Sequence, residues 1–355
     1  MRVVLDATDD GADPRMRPGR PVERMRAGED AEPGHEQRGR GEEPAAVGAR
    51  DVVASRAAPP VGTPARMAER AGRAPAALTL APGGGYRAGV VRFSMSQITT
   101  LGWPFERDVE AFAAAGAPGI GVSVRKLEAV GVPRAARLIR EAGLAVSCLT
   151  SSGLFPLGDA AGECRALERT RVHLAAAAEL GAGSLFVLPG PAGVLAWEEA
   201  AARTRPIVEA LVRDAEQAHV RLALEPVSQL RVDLGFLHTF DEALDFADGF
   251  DSPWLGVVLE LNNAWIERRL YANIRERTAR IAIVQVSDFK VGTMAASERV
   301  VIGDGDIPLR RLCGALADAG YDGWYDIELL GPAIEREGYE SVVPRAIARF
   351  RGLWT

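Results

Sequence analysis

Four apolar runs in the second half of the chain each lead into a side chain that can bind a metal ion or move a proton. The side chains are Glu225, Glu260, Gln285 and Glu328. Carboxylates held close together repel one another unless a cation lies between them. All four groups offer oxygen ligands, which suit Mg²⁺ or Mn²⁺ better than Zn²⁺. Any one of these glutamates alone is compatible with a solvated side chain at the end of a strand. The divalent-metal site is predicted by the set of four side chains together.

The surrounding sequence alternates short apolar runs with amphipathic stretches, which is typical of repeated βα units. Eight strands are predicted, at 89–98, 119–124, 145–151, 184–189, 220–227, 255–261, 281–287 and 324–330. Helices are predicted at 106–115, 133–142, 165–180, 197–219, 240–250, 270–280, 309–319 and 342–353. This count favours an α/β fold of the (β/α)₈ TIM-barrel type, which gathers the C-terminal ends of its strands at one mouth. A doubly wound sheet is the alternative, but no Gly-rich phosphate motif follows the first strand.

The first quarter of the chain differs in composition from the rest. Residues 1–88 contain 14 Arg and 10 Pro but no Ile, Phe, Trp, Lys or Cys. So few large apolar side chains cannot offset the entropy cost of folding. We therefore expect residues 1–88 to form a disordered, low-complexity extension and residues 89–355 to form the barrel.

Charge and cysteine content narrow the function classes. Residues 89–355 carry a net charge of −7, which argues against a nucleic-acid partner. Three scattered cysteines are too few for a disulfide framework or a thiolate zinc site. No apolar run approaches the ~20 residues of a membrane span, and no signal-type core follows Met1. The sequence predicts a cytoplasmic protein with a small-molecule partner and no membrane contact, and it leaves a homo-oligomer open.

Residues 92–353 resemble the xylose isomerase-like superfamily of TIM-barrel sugar phosphate isomerases and epimerases. The motifs that carry the resemblance are Leu224-Glu225-Pro226, Val257-Val-Leu-Glu260 with Asn263 and Trp265, Gln285-Val-Ser-Asp288, Gly303-Asp304-Gly305-Asp306-Ile307, Gly320-Tyr321-Asp322-Gly323 and Ile327-Glu328. The resemblance implies that Glu225, Glu260, Gln285 and Glu328 hold a divalent metal, with Mn²⁺ favoured and Mg²⁺ or Co²⁺ as alternatives. It also implies that Glu225 and Glu328 form an acid/base pair acting on a sugar or related hydroxy-ketone.

The sequence departs from the superfamily pattern at four positions. Glu260 stands where Asp is usual, and Ser228, Asn263 and Gln285 stand where His is common. The mouth therefore lacks the imidazoles that shuttle protons near neutral pH. This leaves three functions open: an isomerase or epimerase, a lyase of the dehydratase or C-glycoside deglycosidase kind, or a non-catalytic ligand-binding barrel. An abasic-site endonuclease would need a His-rich zinc cluster and a basic groove, which this chain lacks.

Further residues are candidates for contacts with a carbohydrate-like substrate. They are Gln97, Asn263, Asp288, Lys290, Arg299 and Trp265. Gln97 is expected to face the mouth from the end of the first strand, and Trp265 to pack against a sugar ring or an aglycone. Asp288 and Lys290 either touch substrate hydroxyls or pair with each other, and Arg299 either reaches the substrate or is a solvated loop residue. The four histidines are not expected to be catalytic. The absence of a phosphate-binding Gly-rich loop favours an unphosphorylated substrate.

Overall fold

A computed structural model describes residues 91–293 and 298–354 of the chain. The predicted extension at residues 1–88 and its boundary with the barrel lie outside the described residues. The strands are β1 (Phe93–Ser96), β2 (Gly119–Ser123), β3 (Ala145–Gly153), β4 (Ser184–Leu188), β5 (Arg221–Leu224), β6 (Leu255–Glu260), β7 (Ile281–Val286), β8 (Asp288–Phe289), β9 (Arg299–Val300) and β10 (Tyr325–Ile327). The helices are α1 (Phe105–Ala114), α2 (Val124–Val130), α3 (Val132–Glu141), α4 (Ala160–Leu180), α5 (Trp197–Ala218), α6 (Phe240–Asp248), α7 (Leu261–Ala264), α8 (Leu270–Arg277), α9 (Leu309–Asp318), α10 (Pro332–Glu337) and α11 (Tyr339–Arg351).

Eight of these strands close into a parallel barrel, which confirms the predicted TIM-barrel fold. Their order around the barrel is β1-β10-β7-β6-β5-β4-β3-β2. The other two strands, β8 and β9, form a small antiparallel hairpin beside it, in which Phe289 is paired with Arg299. This hairpin carries the chain away from the end of β7 and returns it to the mouth.

The barrel interior is filled by side chains just below its C-terminal end. One small cluster takes one buried residue from each of five neighbouring strands: Cys148, Phe186, Ala223, Val258 and Ile283. Side chains along a strand alternate between the two faces, so the residues two positions further along also point inward. Three of those positions hold Glu225, Glu260 and Gln285. The cluster is therefore an apolar floor for the candidate site.

The structure differs from the predicted elements mainly in short segments. The first strand is only four residues long, and residues 97–102 form turns rather than a continued strand. The sequence did not predict α2, α7, α10 or the β8–β9 hairpin, which are too short to show a clear periodicity. Among the described residues, no helix is long and apolar enough to cross a membrane.

Candidate active site at the C-terminal end of the barrel

The structure brings the four predicted ligand positions to one end of the barrel. Glu260 and Gln285 are directly paired in the β6–β7 ladder. Glu225 and Glu328 extend the neighbouring ladders, where their backbone N–H groups donate to Val187 and Val286 at 3.1 Å each. A cavity of about 160 Å³, called the inner cavity below, lies over this end and is lined by Glu225, Gln285, Arg299 and Glu328, among other residues.

Arg299 lies within this acidic group and not in a solvated loop. Its Nη2 atom is 2.9 Å from Glu260 Oε2, and its Nη1 atom is 3.4 Å from Glu328 Oε2. Nη1 also donates a hydrogen bond of 3.1 Å to the Glu328 carbonyl. The side chain is buried, so its charge is poorly screened by solvent. Arg299 thus supplies one positive charge to a cluster of three carboxylates.

The polar side chains around the cluster are only partly satisfied by one another. Gln285 Nε2 donates to Glu328 Oε2, and the backbone N–H of Asn262 donates to Glu260 Oε1 at 2.9 Å. Among the described residues, Gln285 Oε1 is buried without a hydrogen-bond donor, and Glu260 Oε2 has no partner beyond its ion pair with Arg299. A buried acceptor left in this state costs free energy, and such atoms concentrate where a ligand or ion binds.

Burial and mutual repulsion make these carboxyl groups hard to ionise. Burial raises the pKa of Glu225 to about 8, helped by the charges of Glu328 and Glu260 and opposed by Arg299. Burial also raises the pKa of Glu260, although the neighbouring Arg299 guanidinium opposes the shift. A pKa raised toward neutrality is what a group needs to take up and release protons at physiological pH.

Asp326 is a further member of the cluster and is not among the site residues predicted from the sequence. It is fully buried inside the barrel, where Ser94 Oγ donates to its Oδ1 at 2.6 Å and, within the part of the chain that the structure describes, Oδ2 has no donor. Burial raises its pKa to about 8. Gly121 makes room for it, since a Cβ atom there would lie 2.5 Å from Asp326 Oδ1. The signal was present in the sequence, because Asp326 is two residues before Glu328 and strand alternation puts both on the inward face.

The donor set fits a divalent cation in charge and in chemistry. Three carboxylates and the deeper Asp326 face one guanidinium, so the cluster has a net negative charge when its carboxyl groups are ionised. Glu260 Oε2, which is paired with Arg299, and Gln285 Oε1 are hard ligand oxygens of the kind that Mg²⁺ and Mn²⁺ prefer. Within the described residues, no three His, Cys, Asp or Glu side chains already stand at metal-binding spacing. Arg299 lies between two of the glutamates, and an ion would share the cluster with it.

The structure corrects the expected orientation of Gln97. The side chain is completely buried, and its Nε2 donates to Asp108 Oδ2 at 3.0 Å while its Oε1 accepts from the Ser123 backbone N–H at 3.0 Å. Lys126 Nζ reaches the same Asp108 carboxylate and the Thr100 carbonyl, the latter at 2.7 Å. The chain turns out of the barrel after Ser96, so Gln97 joins β1 and β2 to α1 instead of facing the mouth.

Asp288 and Lys290 also have roles other than those expected. The buried carboxylate of Asp288 accepts four backbone N–H groups, from Phe289 (2.9 Å), Gly303 (2.8 Å), Gly305 (3.1 Å) and Ile307 (3.1 Å). Exposed Lys290 pairs with Asp306 at 3.3 Å and not with Asp288. Neither side chain lines the inner cavity. Asp288 instead anchors the loop that follows β9 and so helps to hold Arg299 in place.

We expect Asp288→Asn to lower the free energy of unfolding by about 3 kcal/mol, because hydrogen bonds to a charged acceptor contribute roughly 1.5–3 kcal/mol each and an amide can keep only some of them. Asp306→Asn is the matched control, since it makes the same change in the same loop at an exposed carboxylate. Urea unfolding measures both. Equal, small losses in the two variants would show that Asp288 does not anchor the loop.

Asn263 and Trp265 lie where the inner cavity opens outward. Asn263 lines both the inner cavity and a second cavity of about 560 Å³, and Trp265 lines the second. Arg231, which the sequence reasoning did not select, lines the inner cavity and is bound to Asp233 through two hydrogen bonds of 2.9 and 2.8 Å. Substrate contact by Asn263, Trp265 and Arg299 stays a prediction.

With this fold and site, the chain belongs to the xylose isomerase-like TIM barrel family, whose model matches residues 109–348. A search of curated proteins finds no match.

Several solved structures have a similar barrel fold. Protein SMc04130 from Sinorhizobium meliloti 1021 is 25% identical, with a TM-score of 0.70 over 75% of this chain and 99% of its own. The IOLI protein with a bound zinc atom is 18% identical, with a TM-score of 0.67 over 74% of this chain and 98% of its own. D-psicose 3-epimerase from Clostridium cellulolyticum, solved with D-tagatose, is 18% identical, with a TM-score of 0.60 over 70% of this chain and 92% of its own. At these identities the last two structures establish the fold alone.

Proposed function

We propose that the protein is a divalent-metal-dependent isomerase or epimerase that acts on a sugar or a related hydroxy-ketone. The observation that carries the proposal is that Glu225 and Glu328 line the same cavity of about 160 Å³ together with Gln285 and Arg299. The zinc bound by the IOLI structure and the sugar bound by D-psicose 3-epimerase support the choice of a metal and of a carbohydrate.

The two glutamates are suited to proton transfer in opposite directions. Glu225 has a pKa near 8, so it exchanges a proton readily near neutral pH and, once ionised, is a stronger base than an ordinary carboxylate. Glu328 is fixed by Gln285 Nε2 and by the nearby Arg299 guanidinium. One glutamate removes a proton from the carbon next to the carbonyl carbon, and the other glutamate returns a proton. Return to the opposite face gives an epimer, and return to the neighbouring carbon gives an isomer.

The positive groups at the site stabilise the charge that develops during proton removal. Arg299 lies against Glu260 and Glu328, so its guanidinium can face an anionic oxygen of the substrate in the inner cavity. Glu225, Glu260, Gln285 and Glu328 would hold the divalent ion. When bound, the ion would act as a Lewis acid that stabilises negative charge on the substrate oxygens.

The test is solvent isotope exchange. The purified protein is incubated in D₂O with Mn²⁺ and a panel of ketoses and aldoses, and the products are read by ¹H NMR. We expect at least one sugar to yield an epimeric or isomeric product carrying solvent deuterium at the carbon that receives the returned proton. Mg²⁺ and Co²⁺ replace Mn²⁺ in parallel reactions to identify the metal. Loss of water, release of an aglycone, or no exchange with any sugar would contradict the proposal.

A further inference from the structure

A second cavity of about 560 Å³ opens among the loops that follow β5, β6 and β7. Its large apolar lining residues are Leu230, Trp265, Ile266, Phe289 and Val291, and these five define the outer chamber. Leu230, Ile266 and Val291 are 62%, 73% and 63% exposed. A contiguous group of exposed apolar side chains around one cavity is typical of a binding surface, whereas single exposed apolar side chains are common on any protein.

The outer chamber adjoins the inner cavity. Ser228 and Asn263 line both spaces, so the two cavities meet at these residues. The inner cavity, at about 160 Å³, is smaller than the roughly 300–1,000 Å³ that ligand pockets commonly enclose. The two spaces together fall within that range. The shared residues Ser228 and Asn263 place both spaces within reach of one ligand.

The charge of the chamber selects against an anionic substituent. Among the described residues that line it there is no Lys or Arg, and the formally charged group is the acidic Glu267. His238 also lines the chamber, with its Nδ1 held 3.2 Å from the Val227 carbonyl. Since a carbonyl can only accept, Nδ1 carries the hydrogen of this bond. A phosphate would find no Lys or Arg among these lining residues, whereas an aromatic ring would find apolar walls and Trp265.

We propose that the outer chamber binds an uncharged aromatic substituent of the substrate, while the hydroxylated part of the same molecule lies in the inner cavity. The orientation of the molecule rests on the proposed function, because that function places the reacting carbons at Glu225 and Glu328. Binding in the chamber does not depend on turnover. The preferred substrate is therefore an aryl-substituted sugar or hydroxy-ketone, bound more tightly than an unsubstituted sugar or a sugar phosphate.

The variant that tests the chamber replaces two of its exposed apolar residues, as Ile266→Thr with Val291→Thr. The matched control is Val172→Thr on the outer face of α4, where the valine is 67% exposed, close to the 63% of Val291. The same chemical change is thus made inside and outside the chamber. Both sites are exposed, so neither variant should impair folding.

Three probes measure binding to wild type and variants: phenyl β-D-glucopyranoside, methyl β-D-glucopyranoside and glucose 6-phosphate. We expect wild type to bind the phenyl glycoside at least about tenfold more tightly than the methyl glycoside, since the ring buries apolar area. Glucose 6-phosphate should bind no better than the methyl glycoside. Saturation-transfer NMR should show the phenyl protons in closest contact. The double variant should reduce the phenyl preference to about twofold or less, and Val172→Thr should retain it.

Equal affinity for the phenyl and methyl glycosides, or a phenyl preference that survives in the double variant, would overturn the proposal. Tight binding of glucose 6-phosphate would do the same. Light scattering runs in parallel: a wild-type dimer that the double variant converts to monomer, with no change in ligand preference, would identify the patch as a subunit contact. These readouts need no metal or turnover. The binding measurements therefore still test the outer chamber if the isotope-exchange experiment fails. Conversely, a negative binding result does not bear on the proposed proton transfer by Glu225 and Glu328.

Discussion

Glutamine in place of Glu225 or Glu328 should lower the rate of solvent deuterium exchange by about 10²–10⁴-fold, the usual contribution of a positioned general acid or base. Glutamine keeps the size of the side chain and an oxygen acceptor but cannot carry the proton. Each variant should therefore fold while losing proton transfer. Because the two glutamates act on the same reaction, the double variant should be little slower than either single variant.

The matched control for these variants is Glu276→Gln on α8, whose carboxylate is exposed on the outside of the barrel. It should exchange at the wild-type rate. Circular dichroism and urea unfolding check that all the variants are folded. If Glu225→Gln and Glu328→Gln exchange at rates within a few-fold of wild type, the proposed acid/base pair is wrong, whatever the metal content.

Replacing Arg299 by methionine should destabilise the metal-free protein by about 3–5 kcal/mol, since removing one partner of a buried ion pair leaves uncompensated charge. Arg299 pairs with Glu260 and Glu328, and its charge also lowers the pKa of Glu225. Arg299→Lys should restore part of the loss, because it returns the charge without the planar geometry. Urea unfolding in the presence of a chelator measures these differences.

The Arg299→Met effect should depend on pH. The folded-state pKa of Glu225 is raised from 4.5 to about 8, so its protonated form contributes stability that is fully present below pH 4.5 and is lost as pH rises through about 8. Without the guanidinium, the carboxyl groups hold their protons to a higher pH. We therefore expect the variant to lose more stability than wild type between pH 6 and pH 9.

The same variant should respond more strongly than wild type to a divalent ion. Mn²⁺ supplies the positive charge that Arg299 no longer provides, so it should raise the melting temperature of Arg299→Met by more than that of wild type. Arg275→Met is the control, because Arg275 is 68% exposed and pairs with Glu276 at the surface. A stability loss no larger than that of Arg275→Met would show that Arg299 does not balance the buried carboxylates.

The barrel and the convergence of the four strand-end side chains were predictable because both follow from local rules. Alternation of apolar runs and helices specifies the fold, and the fold brings strand ends to one mouth. The strand-end residues therefore lie at the same end of the barrel regardless of the loop conformations; they are Glu225, Glu260, Gln285 and Glu328. The position of Asp326 follows from the same alternation, because it lies two residues before Glu328 on the inward face of its strand.

The roles of Gln97, Asp288 and Arg299 were not predictable, because their partners come from distant parts of the chain. Gln97 is held by Asp108 on α1 and by the Ser123 backbone at the end of β2. The N–H donors to Asp288 include backbone groups at Gly303 and Ile307, beyond the β8–β9 hairpin. Arg299 reaches the acidic cluster because that hairpin turns back, as its pairing with Phe289 shows. Periodicity carries no information about such loop contacts.

The most direct test of the central claim is the binding of Mn²⁺ to chelator-treated protein, measured by titration calorimetry. The claim is that the strand-end carboxylates form a divalent-metal site for proton transfer. It predicts saturable binding of one ion per chain, which is lost in both Glu225→Gln and Glu328→Gln and retained in Glu276→Gln. Absence of saturable binding in wild type, or binding that survives both glutamine substitutions, would contradict it.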